Sequence, residues 1–278
     1  MRAEGILLNL IKRLSILLMV VLFGFTMCAC NSSQAEDPYK VLKTLEGGSC
    51  YVVFRQNDKV GEWVTAAMQV LAADGTMATL SNKWFGTNQV LMQGDKNALD
   101  GYDIEKEARS VIIGVDPDAV KMTGGSDGDY RGFDIDLAEA VCELLGWEST
   151  YREIDAADAK VELNAGQVDI VWCGFSDASL RDSLQLSPAY LKNDYVIVSR
   201  SDSEINRFGK VAGTTVGIVK NSLEYEAVLT DMHISNNIPE KNMLFCSSQE
   251  DCFDRLNADD CAVIVVNQRL LEYHNEVD

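Results

Sequence analysis

The sequence predicts an α/β fold with a largely parallel sheet. From Val111 onward, short apolar runs alternate with amphipathic segments of helical length, the signature of βαβ units. The composition, 47% hydrophobic over 278 residues with four Pro, fits one or two ordinary domains and excludes a disordered, collagen-like or small disulfide-framework chain.

The elements follow in order. Tyr51-Val52-Val53-Phe54 is expected as a strand and residues 60–73 as an amphipathic helix. Residues 111–115 form a buried strand. Within residues 134–145, Ile135, Leu137, Ala138, Val141 and Leu144-Leu145 recur at helical spacing, and Gly146 supplies a C-terminal cap. A strand over 147–154, a short helix over 158–164 ending at Gly166 and a strand over 168–173 come next. Residues 195–199, 215–219 and 262–266 are further strands, with helices starting at Ser222 and Glu250.

The chain carries 24 Lys+Arg against 43 Asp+Glu, a net charge of −19. Nucleic acid is therefore not an expected partner, since neutralising phosphates takes clustered basic residues. The acidic excess is most simply a solvated surface.

Arg2, Lys12 and Arg13 precede the apolar run over 14–25, which is too short for a comfortable membrane span and has the form of a signal peptide. It ends in Met27-Cys28-Ala29-Cys30, followed by polar residues, which resembles a bacterial lipobox with Met27 where Leu is usual. Cys30 is expected to be lipidated and to begin the mature chain. The alternative is cleavage near Ala35 and free secretion. Removing residues 1–29 leaves 21 basic and 42 acidic residues. An acidic domain tethered to the membrane outside the cell follows.

Six cysteines remain: Cys50, Cys142, Cys173, Cys246, Cys252 and Cys261. Disulfides are permitted by compartment, but no metal-ligand spacing is present, and buried free thiols with at most one bridge, such as Cys246 to Cys252, are expected. The two histidines, His233 and His274, sit near no pattern that suggests a catalytic triad. No cofactor or metal is expected.

The segment Gly132-Phe133-Asp134-Ile135-Asp136-Leu137-Ala138-Glu139-Ala140, following Gly114-Val115-Asp116-Pro117-Asp118, resembles the first lobe of type II periplasmic solute-binding proteins of the polar amino-acid family. The resemblance continues through Leu163 to Asp169, Gly174 to Arg181, Ser187-Pro188-Ala189-Tyr190 and Val216-Gly217-Ile218-Val219. It covers 111–278 in family order. Residues 51–58, the helix after them, Ala72 to Thr76 and Lys83-Trp84-Phe85-Gly86 resemble the family's last 40 or so residues, yet they come first here.

The resemblance thus implies a two-lobe α/β fold with two hinge crossovers, circularly permuted so that the termini fall between Asp278 and about Tyr39. Permutation is tolerated where joined ends lie close at an exposed loop. The implied organisation is a signal peptide over 1–29, an anchored linker over 30–38, lobe 2 from 39–50 and 196–278, and lobe 1 from 51–195. Such a protein closes two lobes on a ligand and delivers it to an ABC permease, working as a monomer.

The family holds a ligand carboxylate with an Arg seven residues after a Gly, with a hydroxyl between them; Gly174, Ser176 and Arg181 match. The aromatic clamp departs from pattern: Ala119 and Ala156 stand where rings are usual, with Met122 where Phe is common, removing roughly 150 to 250 Å² of ring surface each. Val266 stands where the family has an Asp that pairs with the ligand ammonium, and Asn267 beside it is neutral. Asp116 keeps the first-lobe Asp position. In lobe 2, Asn221-Ser222-Leu223 replaces a Gly-Ser-Thr turn, with Ser222 as N-cap and N–H groups suited to an anion. Either Trp172 or Cys173 should face the cleft, since strand side chains alternate; Trp172 is core packing or a substitute aromatic floor.

The expected function is a lipid-anchored binding component of an ABC importer for an amino acid or related small carboxylate. The alternatives are an orphan or receptor-type binder with an altered site and, less well supported, a dehydratase-like enzyme using Glu153 or Asp155.

Overall fold

A computed structural model describes residues 37–45, 48–104, 106, 108–125, 128–176 and 181–277. The expected signal segment and Cys30 lie outside the described residues.

The chain begins with β1 (Tyr39–Leu45), then β2 (Ser49–Cys50) and β3 (Val53–Phe54). Helix α1 (Lys59–Ala73) follows, its buried face formed by Val60, Trp63, Val64, Ala67, Met68 and Leu71 at helical spacing. Asp58 caps it, accepting from Val60 N at 3.0 Å, and also pairs with Arg55 at 3.0 Å. Asp58→Ala is expected to cost about 1 kcal/mol in chemical denaturation through the lost cap. Then come α2 (Thr76–Phe85), β4 (Ser110–Val115), α3 (Phe133–Leu145) capped by Gly146, β5 (Glu148–Glu153), α4 (Ala159–Asn164) and β6 (Ile170–Val171). Strands β7 (Gln185–Leu186), β8 (Leu191–Lys192), β9 (Tyr195–Arg200) and β10 (Val216–Val219) lead to α5 (Leu223–Thr230) and α6 (Met232–Ser235). The chain closes with β11 (Met243–Cys246), α7 (Gln249–Asn257), β12 (Val263–Asn267) and α8 (Gln268–Val277).

These strands form two five-stranded sheets, ordered β5-β4-β6-β3-β7 and β1-β9-β12-β10-β11. Both are mixed, where the sequence pattern predicts a largely parallel sheet. The βαβ strands run parallel, β4 with β5 and β6, and β10 with β11 and β12. The strands next to the crossovers, β3 and β9, run antiparallel to their neighbours. They enter the sheets directly from the other lobe and so need no helical return.

Between the sheets, β2 and β8 pair antiparallel, Ser49 with Lys192 and Cys50 with Leu191, so the two crossovers are hydrogen-bonded to each other. This is the two-lobe type II architecture. The core on one side of the first sheet joins α1 and α3 around Phe54, Met68, Phe133, Leu137 and Trp172. The second sheet is covered on both faces, around Phe253 and Ile264 on one and Ile197 and Val228 on the other.

All six cysteines are buried free thiols, Cys246 and Cys252 included. Burial pushes the thiols of Cys50, Cys142 and Cys261 up to about 11, which keeps them protonated and unreactive at neutral pH.

Candidate functional site

A cleft of about 860 Å³ opens between the two sheets. Its first wall is set by the turn after β4. Asp116 there accepts from Asp118 N at 3.0 Å and from Ala156 N at 3.2 Å, tying the ends of β4 and β5 together. Burial raises its carboxyl above the usual range, against those two hydrogen bonds. Ala119, Met122 and Ala156 complete this wall.

The floor comes from the end of β6. Gly174 turns with φ +69°, a left-handed conformation that favours glycine. Its N–H donates to the buried carboxylate of Asp134 at 2.6 Å, and the Tyr190 hydroxyl donates to the other oxygen at 2.6 Å. Burial pushes Asp134 up to about 7, with those donors opposing the shift.

The second wall is polar. Ser222 caps α5, accepting from Tyr225 N at 3.2 Å. The Glu224 side chain, 5% exposed, accepts from Gln249 Nε2 at 2.8 Å. Gln249 Oε1 accepts from Asn267 N at 2.7 Å, and the Asn267 amide donates to Asn193 Oδ1. Arg269, also 5% exposed, donates to that same Asn193 oxygen and to the Lys192 carbonyl.

Of the expected site residues, Asp116, Met122, Gly174, Ser176, Ser222 and Asn267 line the cleft. Three others lie elsewhere. Trp172 is 1% exposed in the core beneath α3, because its strand position points it away from the cleft and leaves Cys173 on the cleft side. The exposed Arg181 holds its guanidinium 4.9 Å from the Tyr51 ring centroid, a cation–π contact, and is not among the residues lining the cleft. Asn221, with φ +60°, shapes the turn before Ser222 without lining the cleft.

Val266 is fully buried in the core of the second sheet, so its place is apolar and its neighbour Asn267 takes the cleft position. Glu224, Gln249, Asn193 and Arg269 escaped sequence reasoning. Only the position of Glu224, two residues after the Ser222 cap, offered a signal. Among the described residues no group of three His, Cys, Asp or Glu side chains is placed to hold a metal.

Two lobes joined by paired crossovers around a cleft with one polar wall have the form of a solute-binding protein. The sequence profile of the bacterial extracellular solute-binding proteins, family 3, matches residues 111–273, and the chain belongs to that family. It is similar to the arginine-binding extracellular protein ArtP of Bacillus subtilis, 28% identical over 123 residues, which are 44% of this chain and 48% of that one. The chain thus spans about half the length of that curated relative.

Among solved structures it resembles an ABC uptake transporter substrate-binding protein of Streptococcus pneumoniae with bound histidine. That match has 28% identity and a TM-score of 0.51, covering 60% of this chain and 69% of that one. An arginine third transport system periplasmic binding protein of Legionella pneumophila shares the fold at 20% identity and a TM-score of 0.50, covering 60% and 72%.

Proposed function

We propose that this chain is the substrate-binding component of an ABC importer, anchored outside the cell by a lipid on Cys30. It holds an amino acid or a closely related carboxylate between its lobes. The observation that carries this reading is the cleft itself, lined from both sheets within a family of extracellular solute binders. The amino-acid ligands named for the relatives from Bacillus and Streptococcus support this ligand class. Binding and closure are the whole of its work. Of the acids an enzyme would need, Glu153 accepts from the Tyr130 hydroxyl at 2.9 Å on an exposed strand end, and Asp155 caps a short helical turn.

The lobes are residues 51–195 and residues 39–50 with 196–278, in permuted order. Two observations support the permutation. Strand β3, which precedes the family match, lies inside the first sheet between β6 and β7. The two ends of the described chain also meet, Tyr39 N donating to Asn275 Oδ1 at 3.2 Å and Asn275 Nδ2 to the Tyr39 carbonyl at 3.3 Å.

A thermal-shift and calorimetric screen against amino acids, their derivatives, small peptides and other carboxylates tests the function. A ligand at 100 times its Kd should stabilise the protein by about 2.7 kcal/mol. No stabilisation by any amino acid favours an orphan or receptor-type binder, a reading that Ala119, Ala156 and Val266 also motivate. Cys30→Ala should release the protein from the membrane fraction; retention there would sink the lipid anchor.

A further inference from the structure

We propose that Glu224 and Arg269 are the two charged ends of the ligand site, Glu224 receiving an ammonium or guanidinium group and Arg269 a carboxylate. The inference rests on the amino-acid reading of the cleft and names the charge pattern of its ligand.

Arg269 is buried at the crossovers and lines the cleft. Its hydrogen-bond and ring partners are neutral: Asn193 Oδ1, the Lys192 carbonyl, the Cys50 sulfur at 3.6 Å and the Phe85 ring at 5.1 Å; the buried carboxyl of Asp134 feels its charge without pairing with it. Its Nε has no acceptor, and among the described residues no carboxylate forms an ion pair with it. A buried guanidinium that hydrogen-bonds only neutral groups is costly to keep, and a ligand carboxylate brought to its side of the cleft would offset that cost.

Glu224 is the complementary case. It is equally buried, lines the same cleft, sits as the second residue of α5 and accepts from a neutral donor, the Gln249 amide. A protein carboxylate therefore already uses the N-terminal end of α5, where the sequence pattern predicts a ligand anion. The electrostatics of that wall are reversed, and a cation fits it.

The two ends belong to one network. From Arg269 the hydrogen bonds run through Asn193, Asn267 and Gln249 to Glu224. The amides are oriented consistently, a carbonyl oxygen of Asn193 facing Arg269 and the amino group of Gln249 facing Glu224. Asn193, Asn267 and Gln249 stand between the two charges along this path, which favours a ligand whose charges lie farther apart than those on one α-carbon. An amino acid with a cationic group at the far end of its side chain spans them, as does an ω-amino acid. The wider cleft left by Ala119 and Ala156 gives it room. The departure at Val266, and the placement of Arg181 on the Tyr51 ring, are offset by this second pair.

The test is calorimetry on the full chain with L-lysine, L-arginine, 5-aminovalerate, L-norleucine, which lacks the distal amine, and lysinamide, which lacks the carboxylate. Wild type should bind a basic probe at least tenfold more tightly than norleucine or lysinamide. Glu224→Gln should abolish the preference for lysine over norleucine, and Arg269→Gln the preference for lysine over lysinamide. Should Arg269→Gln fail to fold, the Glu224 comparison decides alone. Preference for a neutral or acidic amino acid, or a lysine preference intact in Glu224→Gln, overturns the charge assignment while leaving the amino-acid reading standing. Binding of no amino acid overturns both.

Discussion

Gly48→Ala is expected to destabilise the protein by more than about 3 kcal/mol, because the added methyl would meet backbone and not a side chain. A Cβ at Gly48 would lie 1.8 Å from the Asn193 carbonyl oxygen and 2.8 Å from its carbon, with the Tyr195 ring at 3.3 Å. The same two residues are joined by the Asn193 N–H donating to the Gly48 carbonyl at 3.0 Å, one rung beyond the β2–β8 pairing. Relief requires the two crossovers to separate, and Asn193 is also the residue on which Arg269 and Asn267 converge. Urea denaturation should show the loss, with ligand affinity falling in parallel. Gly209→Ala is the control: nothing lies within 4 Å of its added Cβ, and a change within about 0.5 kcal/mol is expected. A Gly48→Ala protein as stable as that control would mean the crossovers are not held together as described.

Asp134→Ala is expected to cost about 2 to 5 kcal/mol near pH 5, since it strands two buried donors, the Gly174 N–H and the Tyr190 hydroxyl. Its pH dependence is the sharper check. The folded carboxyl titrates at about 7 against an ordinary value of 3.8, so between those values the folded protein holds a proton that the unfolded chain has released. Stability from this group is complete below about pH 4, declines as pH rises toward 7 and is flat above it, with a slope of up to about 1.4 kcal/mol per pH unit. Asp116 and Glu224, raised by burial, act in the same direction. Denaturation midpoints at pH 5 to 8 should fall with pH in wild type and fall less steeply in Asp134→Ala. Parallel curves for the two proteins would contradict the assignment.

The elements legible in the sequence were those whose own periodicity declares them. The helix over Lys59–Ala73, the helix over Phe133–Leu145 and the strands at Val216–Val219 and Val263–Asn267 follow their apolar spacing to within a residue or two. Strand β1 and helix α8 were not foreseen. The first is an edge strand with a bulge between Val41 and Lys43, so its alternation is broken and only Tyr39 and Leu45 are buried. The second is polar along much of its length and is held by Arg269, Leu270 and Leu271. The strand expected over 168–173 shortens to Ile170–Val171, because the chain turns at Gly174 to reach Asp134.

For the site, the sequence by itself determined the family, the positions of Asp116, Gly174, Ser176 and Ser222, and the absence of aromatic residues at 119 and 156, all of which depend on local spacing. Tertiary structure alone decided that Trp172 is core, that Arg181 stacks on Tyr51, and that Asn193, Glu224, Gln249 and Arg269 form one polar wall. The reason is range. Backbone preference and apolar period act over a few residues, whereas Asn193 meets Arg269 across 76 positions and Glu224 meets Gln249 across 25, brought together only when the sheets and crossovers assemble.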